Sequence, residues 1–172
     1  MHLPFELYQF ILVLFLIGLY CSFRRKNSKH KRNIKKSHEI LVRISSMNEA
    51  QRISYLKKIN PYVFEELILS RYELLGYKIE RNTKYSGDGG YDGKVWINGE
   101  LHLIQAKRYR GHIKKEHIYE FIRLIQKNNC NGIFIHTGKT PNDVFVLLRS
   151  YPELILISGS NLAKLMVINQ PV

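Results

Sequence analysis

The hydrophobic positions of the chain begin with an unbroken apolar run. Residues 7–23, "LYQFILVLFLIGLYCSF", carry no charged side chain. A helix that spans a membrane needs about 20 mostly apolar residues. Tyr8 and Tyr20 stand near the two ends of the run, where interfacial aromatic residues are common. The pattern predicts a transmembrane helix over residues 4–23. A helix buried inside a soluble domain would look similar, but no later segment is apolar all round to pack against it.

The apolar run is followed by the basic block "RRKNSKHKRNIKK", residues 24–36. Lys and Arg next to a membrane span stay in the cytoplasm, so this block predicts that the rest of the chain is cytoplasmic. We therefore expect a single-pass protein of the bacterial inner membrane with a basic juxtamembrane linker at 24–36. Binding to anionic lipid headgroups is a side effect of such a linker, and DNA binding by this block alone is the alternative.

From residue 37 onward, apolar residues recur with helical spacing. Residues 37–59 predict a helical connector, and the segment after it has a clearer helical pattern. Asn60 suits the N-cap of that second helix, and Pro61 suits its first position. Gly76 follows its last apolar residue, which is where a helix commonly ends.

Alternating and short apolar runs then predict strands. "YDGKVWIN" and "ELHLIQAK" are joined by Asn98-Gly99, a strong hairpin signal. Further along, the helical pattern "KKEHIYEFIRLIQKN" precedes the buried strand "GIFIHTG". A helix, the strand "ELILIS" and a closing helix complete the order. The sequence thus predicts an α/β domain whose mixed central sheet is flanked by helices, over residues 60–169.

Composition adds a preference for phosphate-rich partners. The 172 residues include 27 Lys and Arg against 14 Asp and Glu, a formal net charge of +13. Such a surplus suits nucleic acid or an anionic lipid surface. The 2 cysteines and the histidine spacing show neither a disulfide framework nor a zinc site.

Three polar residues at the end of the hairpin are candidates for chemistry. Side chains alternate along a strand, so Gln105 and Lys107 project on one face of "LIQAK". Asp92 opens the partner strand, and the outer ends of a hairpin lie side by side. Asp92, Gln105 and Lys107 are therefore predicted to converge.

Such a cluster has the equipment for metal-assisted phosphodiester hydrolysis. Mg²⁺ prefers carboxylate and carbonyl oxygens, which Asp92, the Gln105 amide and the Ala106 backbone carbonyl offer. Lys107 can hold an attacking water or stabilise negative charge in the transition state. On the helix that starts at Pro61, Glu65 lies at the edge of the buried face and is a further candidate. Glu66 lies about 200° from Phe64 and is predicted to be a solvated surface charge.

The blocks "FEELILSRYELLGY", "GDGGYDG", "LIQAKRY", "GIFIHTG" and "LILISGSNLAKLM" resemble, in this order, the catalytic domain of Mrr-like restriction endonucleases. These belong to the PD-(D/E)xK nuclease superfamily. The resemblance implies an αβββαβ core, Mg²⁺ dependence and DNA cleavage. It makes Asp92 the metal-binding aspartate, Gln105 the residue where relatives have Glu or Asp, and Lys107 the catalytic lysine. Glu65 takes the glutamate position of the family's Phe-Glu helix.

The same resemblance leaves several residues with other roles or none. We expect a set of basic residues after the catalytic lysine to grip DNA phosphates: Arg108, Arg110, Lys114 and Lys115. Asp88 and its neighbouring glycines are interpreted as a tight turn, and His117 as a surface or packing residue. His136 stands where the family usually has a threonine.

The sequence as a whole predicts a membrane-anchored, Mg²⁺-dependent DNA endonuclease that restricts foreign DNA. A homodimer is expected, because cutting both strands usually needs two active sites. Two alternatives stay open. One is a membrane-tethered protein that binds DNA without cutting it, and the other is a structure-selective nuclease of repair or recombination.

Overall fold

The computed structural model describes residues 5–82 and 90–168. In chain order, the helices and strands are α1 (Phe5–Ser45), α2 (Glu49–Leu56), α3 (Pro61–Leu74), β1 (Lys78–Arg81), β2 (Gly93–Ile97), β3 (Glu100–Lys107), α4 (Lys115–Lys127), β4 (Asn131–His136), α5 (Asn142–Leu148), β5 (Leu154–Ile157) and α6 (Gly159–Leu165).

The described strands form one five-stranded sheet in the order β1-β2-β3-β4-β5. The first three strands are antiparallel neighbours, whereas β3, β4 and β5 run parallel. Parallel neighbours need crossover connections, and α4 and α5 supply them. The predicted mixed sheet with flanking helices is confirmed.

Helices cover both faces of this sheet. Ile104, Ala106 and Val95 belong to a core with α1, α2, α3 and α6 on one face. Leu103 and Phe134 belong to a second core with α4 and α5 on the other face. Successive residues of β3 thus alternate between two buried layers, which the apolar alternation of its sequence reflects.

Local signals at two chain reversals match the structure. The Asn60 side chain accepts a hydrogen bond from the backbone of Tyr62 and caps α3, with Pro61 as the first helical residue. Asn98 and Gly99 both have positive φ, 52° and 85°, as a tight two-residue hairpin turn requires. These residues fix the register of β2 against β3, and with it the partners of Asp92.

The predicted linker at residues 24–36 differs from what the structure shows, because this block lies inside α1. The second half of α1 packs against α3. The Ser37 hydroxyl lies 2.9 Å from that of Ser70, and Asn33, Ser37 and Leu41 are buried at helical spacing. Lys31, Arg32, Lys35 and Lys36 are exposed on the side of α1 that faces away from α3.

The prediction of a transmembrane helix over residues 4–23 is not supported. Within 5–82 and 90–168, none of the helices has the length and apolar character needed to cross a bilayer.

Glu66 is the clearest error in the sequence interpretation. It is buried, and its carboxylate lies 3.0 Å from His30 Nδ1 and 3.3 Å from Arg81 Nε. The helical-wheel argument assumed that α3 has one buried side. Instead α3 packs against the sheet and against α1, so most of its circumference is covered.

Candidate active site

Asp92 is fixed to the neighbouring strand immediately before β2 begins. Its backbone N–H donates to the carbonyl of Ile104 at 2.7 Å. Its Oδ2 accepts a hydrogen bond from the backbone N–H of Ala106 at 2.6 Å. The backbone of Asp92 therefore adds one hydrogen bond to the β2–β3 ladder, and its side chain accepts the next one. These two bonds hold the carboxylate beside the end of β3.

Gly93, the first residue of β2, lets this arrangement pack under α3. A Cβ at this position would lie 2.7 Å from a methyl carbon of Leu69 and 2.8 Å from the carbonyl oxygen of Glu80. Only glycine avoids both contacts, so helix and hairpin approach closely at this point.

Gln105 lies on β3 beside Asp92. Its Nε2 donates to the carbonyl of Gly90 at 2.7 Å, which assigns the orientation of the amide. Its Oε1 is buried and accepts no hydrogen bond from the residues that the structure describes. An unpaired buried acceptor costs roughly 1–3 kcal/mol, and a cation or water bound to this oxygen would remove that cost.

The backbone of Ala106 contributes a second oxygen to the same place. In an antiparallel ladder, the N–H and C=O of one residue point to the same edge. Because the Ala106 N–H meets the Asp92 carboxylate, its carbonyl also faces the gap left where β2 has not yet begun. One carboxylate, one amide oxygen and one backbone carbonyl therefore lie together.

Lys107 ends β3 on the same face as Gln105. The register pairs it with His136 of β4, and its side chain is half-buried. Asp92 and Lys107 thus flank Gln105 on the face that α4 covers. The register thus places Asp92 opposite Gln105, with Lys107 two residues further along the same face, and their convergence into one catalytic site stays a prediction.

Glu65 approaches this cluster from elsewhere. It is half-buried on α3, one turn before Leu69, which touches Gly93. The helix α3 covers the opposite face of the sheet from α4. Its role as a catalytic residue stays a prediction.

The side chains predicted to grip DNA are not equally available. Arg110 and Lys114 are exposed next to the site. Arg108 donates from Nη1 to the carbonyl of Lys57 at 2.8 Å, so it ties the end of α2 to the end of β3. Lys115 forms an ion pair with Asp143, which raises the pKa of the lysine. Arg110 and Lys114 are the better candidates for phosphate contacts.

The sequence interpretation missed the rings on the α4 side of Lys107. The Tyr109 hydroxyl is hydrogen bonded to Nδ1 of His117, and His136 is fully buried beside them. Burial lowers the pKa of His136 to about 4, with a smaller opposing effect from the backbone of Gly138. The only signal in the sequence was the histidine in "IHTG", since residues on β3 and α4 share no local period.

Two further observations bound the site. Asp88, interpreted as a turn residue, lies outside the described residues. Among residues 5–82 and 90–168, no group of three His, Cys, Asp or Glu side chains is placed to hold a metal ion.

A mixed five-stranded sheet flanked by helices fits the fold of restriction-endonuclease-like nuclease domains. The sequence comparison agrees with this class. The family Mrr_cat, described as restriction endonuclease, matches residues 56–166, which is more than half of the chain. The protein belongs to that family. No curated protein matches the sequence.

Proposed function

We propose that the protein is a Mg²⁺-dependent endonuclease that hydrolyses phosphodiester bonds in DNA and acts in restriction. The observation that carries the proposal is the pairing of Asp92 with the Ala106 N–H, next to the buried, unpaired Oε1 of Gln105. This set of oxygens fits Mg²⁺, which prefers carboxylates and carbonyls.

Each residue has a distinct task in this reaction. Asp92, Gln105 and the Ala106 carbonyl would hold the ion, which supplies Lewis-acid polarisation of the scissile phosphate when bound. Lys107 orients the attacking water and stabilises charge that develops on the phosphate oxygens. Arg110 and Lys114 hold the neighbouring phosphates and align the strand.

The amide at position 105 makes this metal site weaker than one built on two carboxylates. It carries no charge, so Asp92 is the single anion among the three proposed ligands. We expect Mg²⁺ to be needed at millimolar concentration, as is common for a cation that keeps most of its waters.

Nicking of supercoiled plasmid by the full chain, with and without Mg²⁺, tests the proposal. Lys107→Ala should abolish cleavage while leaving DNA binding measurable. Lys127→Ala is the matched control, because Lys127 is exposed in the last turn of α4, at the opposite end of the sheet. Equal activity of the wild type and Lys107→Ala would contradict the proposal.

The same assay separates the alternatives. A protein that binds DNA without cutting it would retard the plasmid but leave it supercoiled at every Mg²⁺ concentration. A structure-selective nuclease would cut branched DNA in preference to plasmid, whereas a restriction enzyme would discriminate methylated from unmethylated plasmid. Cutting of both strands in one binding event would favour the proposed homodimer. The inner-membrane localisation stays a prediction.

A further inference from the structure

The face of β3 that carries Gln105 and Lys107 continues into a cluster of three rings, here called the ring cluster: Tyr109, His117 and His136. The Tyr109 ring lies 5.9 Å from that of His117 and meets the His136 ring edge-on at 6.2 Å. Neither the metal ligands nor the phosphate-binding residues proposed above account for this cluster.

Tyr109 is held at both its backbone and its hydroxyl group. Its N–H donates to the Thr137 hydroxyl at 2.9 Å, and that hydroxyl donates to the Tyr109 carbonyl at 2.7 Å. The phenol oxygen is hydrogen bonded to Nδ1 of His117, which belongs to α4. A residue that follows a strand end usually moves freely, but this one is fixed to β4 and to α4.

His136 closes the cluster from the neighbouring strand. It is fully buried, and its Nε2 lies 3.2 Å from the Thr140 hydroxyl. It is the register partner of Lys107, and paired residues on adjacent strands lie about 5 Å apart with side chains on one face. The His136 ring therefore stands beside the base of the Lys107 side chain.

The charge of Lys107 acts on the His117 imidazole. Burial is the main cause that lowers the pKa of His117, and the ammonium of Lys107 lowers it further. Both effects disfavour the protonated imidazole and so reduce its repulsion of the lysine. Lys107 is thus half-buried, with the His136 ring beside its base and the His117 imidazole within reach of its charge.

We infer that Tyr109 and His117 are positioning residues that restrict the Lys107 side chain to the rotamer used in catalysis, and that the buried His136 ring limits its movement on the β4 side. The inference rests on the proposed nuclease function. A free lysine side chain carries about 2 kcal/mol of rotamer entropy, and a catalytic ammonium must give up much of that freedom before the reaction. Rings fixed during folding impose this restriction in advance.

Variants of the two residues test the inference in the cleavage assay. Tyr109→Phe keeps the ring and removes the hydrogen bond to His117, while His117→Ala removes the imidazole. Each should lower kcat for DNA cleavage about tenfold and leave KM within about twofold, because only the placement of Lys107 changes. His117→Gln restores an acceptor for the tyrosine hydroxyl and should recover part of the loss. His112→Ala is the matched control, since His112 is exposed on the same connection between β3 and α4.

A second measurement needs neither metal nor activity. The rate of reductive methylation of Lys107, followed by mass spectrometry in metal-free protein, should rise in Tyr109→Phe and His117→Ala but not in His112→Ala. Activity and methylation rates that match those of His112→Ala would overturn the inference, as would a loss confined to KM. A wild type that leaves DNA intact would instead contradict the nuclease function, and the methylation rates would then decide the inference by themselves.

Discussion

The two faces of the sheet carry two polar groups that differ in how their charges are met. Under α3, the Glu66 carboxylate lies between His30 and Arg81 and is sealed from solvent, with a side chain 3% exposed. Under α4, the backbone N–H of Ala106 aligns the Asp92 carboxylate, and the neighbouring Gln105 Oε1 accepts no hydrogen bond from the described residues. The Glu66 carboxylate is compensated by an arginine of the same domain, whereas the Gln105 oxygen keeps an acceptor position available for a ligand.

This difference separates a structural group from a functional one. A buried carboxylate that meets an arginine and an imidazole of the same domain stabilises one arrangement of α1, α3 and β1. A buried acceptor without a partner costs free energy until something binds it. Stability should therefore depend on Glu66, and chemistry on Asp92 and Gln105.

Asp92→Asn should produce the largest effect, a loss of DNA cleavage without a comparable loss of stability. The asparagine oxygen can still accept from the Ala106 N–H, so the end of the hairpin keeps its geometry. The loss of the only carboxylate among the proposed ligands should lower Mg²⁺-dependent cleavage about 1000-fold. Urea unfolding should give a free energy within about 1 kcal/mol of wild type. Retention of more than about a tenth of the activity would show that Asp92 is not the metal-binding residue.

Glu66→Gln should lower stability and leave DNA cleavage unchanged. Removing the Glu66 charge takes from Arg81 its buried partner and leaves it the exposed Glu73, which should cost about 3 kcal/mol of unfolding free energy. Equilibrium urea unfolding measures this loss, and Glu73→Gln is the control because Glu73 pairs with the same Arg81 at the surface. Cleavage per folded molecule should match wild type. An intact stability in Glu66→Gln would remove the contrast between the two faces.

The sequence patterns predicted the position of Asp92 better than the environment of Glu66. Strand alternation and the Asn98-Gly99 turn fix which side chains leave the end of the hairpin together, and both are local patterns. The place of Asp92 beside Ala106 follows from that register. The prediction for Glu66 failed because its environment depends on α1, a segment more than 20 residues earlier whose apolar start concealed its role in the domain.

The residues around Lys107 mark the limit of local patterns at the site itself. Tyr109 contacts His117 from α4 and His136 from β4, which only the assembled crossover brings together. Likewise, the unpaired state of the Gln105 oxygen depends on where the Gly90 carbonyl lies. Sequence identifies which groups could act, but the packed structure decides which of them are held in place.

His136, which lies beside Lys107, should make the free energy of unfolding depend on pH. Its pKa in the folded state is about 4, below the ordinary value of 6.5, so the unfolded chain binds the additional proton between these two values. Its contribution to stability is therefore present above pH 6.5 and is lost as the pH falls toward 4. From pH 6.5 to pH 5, unfolding free energy should fall by about 1.5 kcal/mol through this residue.

The matched variant for this measurement is His136→Gln, which keeps a polar side chain beside Thr140 but cannot titrate. Its unfolding free energy should change less between pH 6.5 and pH 5 than that of wild type. Equal pH dependence in the two proteins would show that another group is responsible. Because His136 stands beside Lys107, wild-type cleavage should also decline over the same interval.

Gln105→Glu should have the smallest effect of these variants, and it tests whether the Gln105 oxygen is part of a metal site. A second carboxylate beside Asp92 adds negative charge where the proposed site has only an amide, and should lower the half-saturating Mg²⁺ concentration about tenfold. The substitution also removes the Nε2 donor to the Gly90 carbonyl, so unfolding free energy without Mg²⁺ should fall by about 1–2 kcal/mol. Calorimetric titration of Mg²⁺ into metal-free protein measures the affinity, and Gln126→Glu on the exposed side of α4 controls for added charge. If both variants bind Mg²⁺ as wild type does, the unpaired oxygen of Gln105 is not a metal ligand.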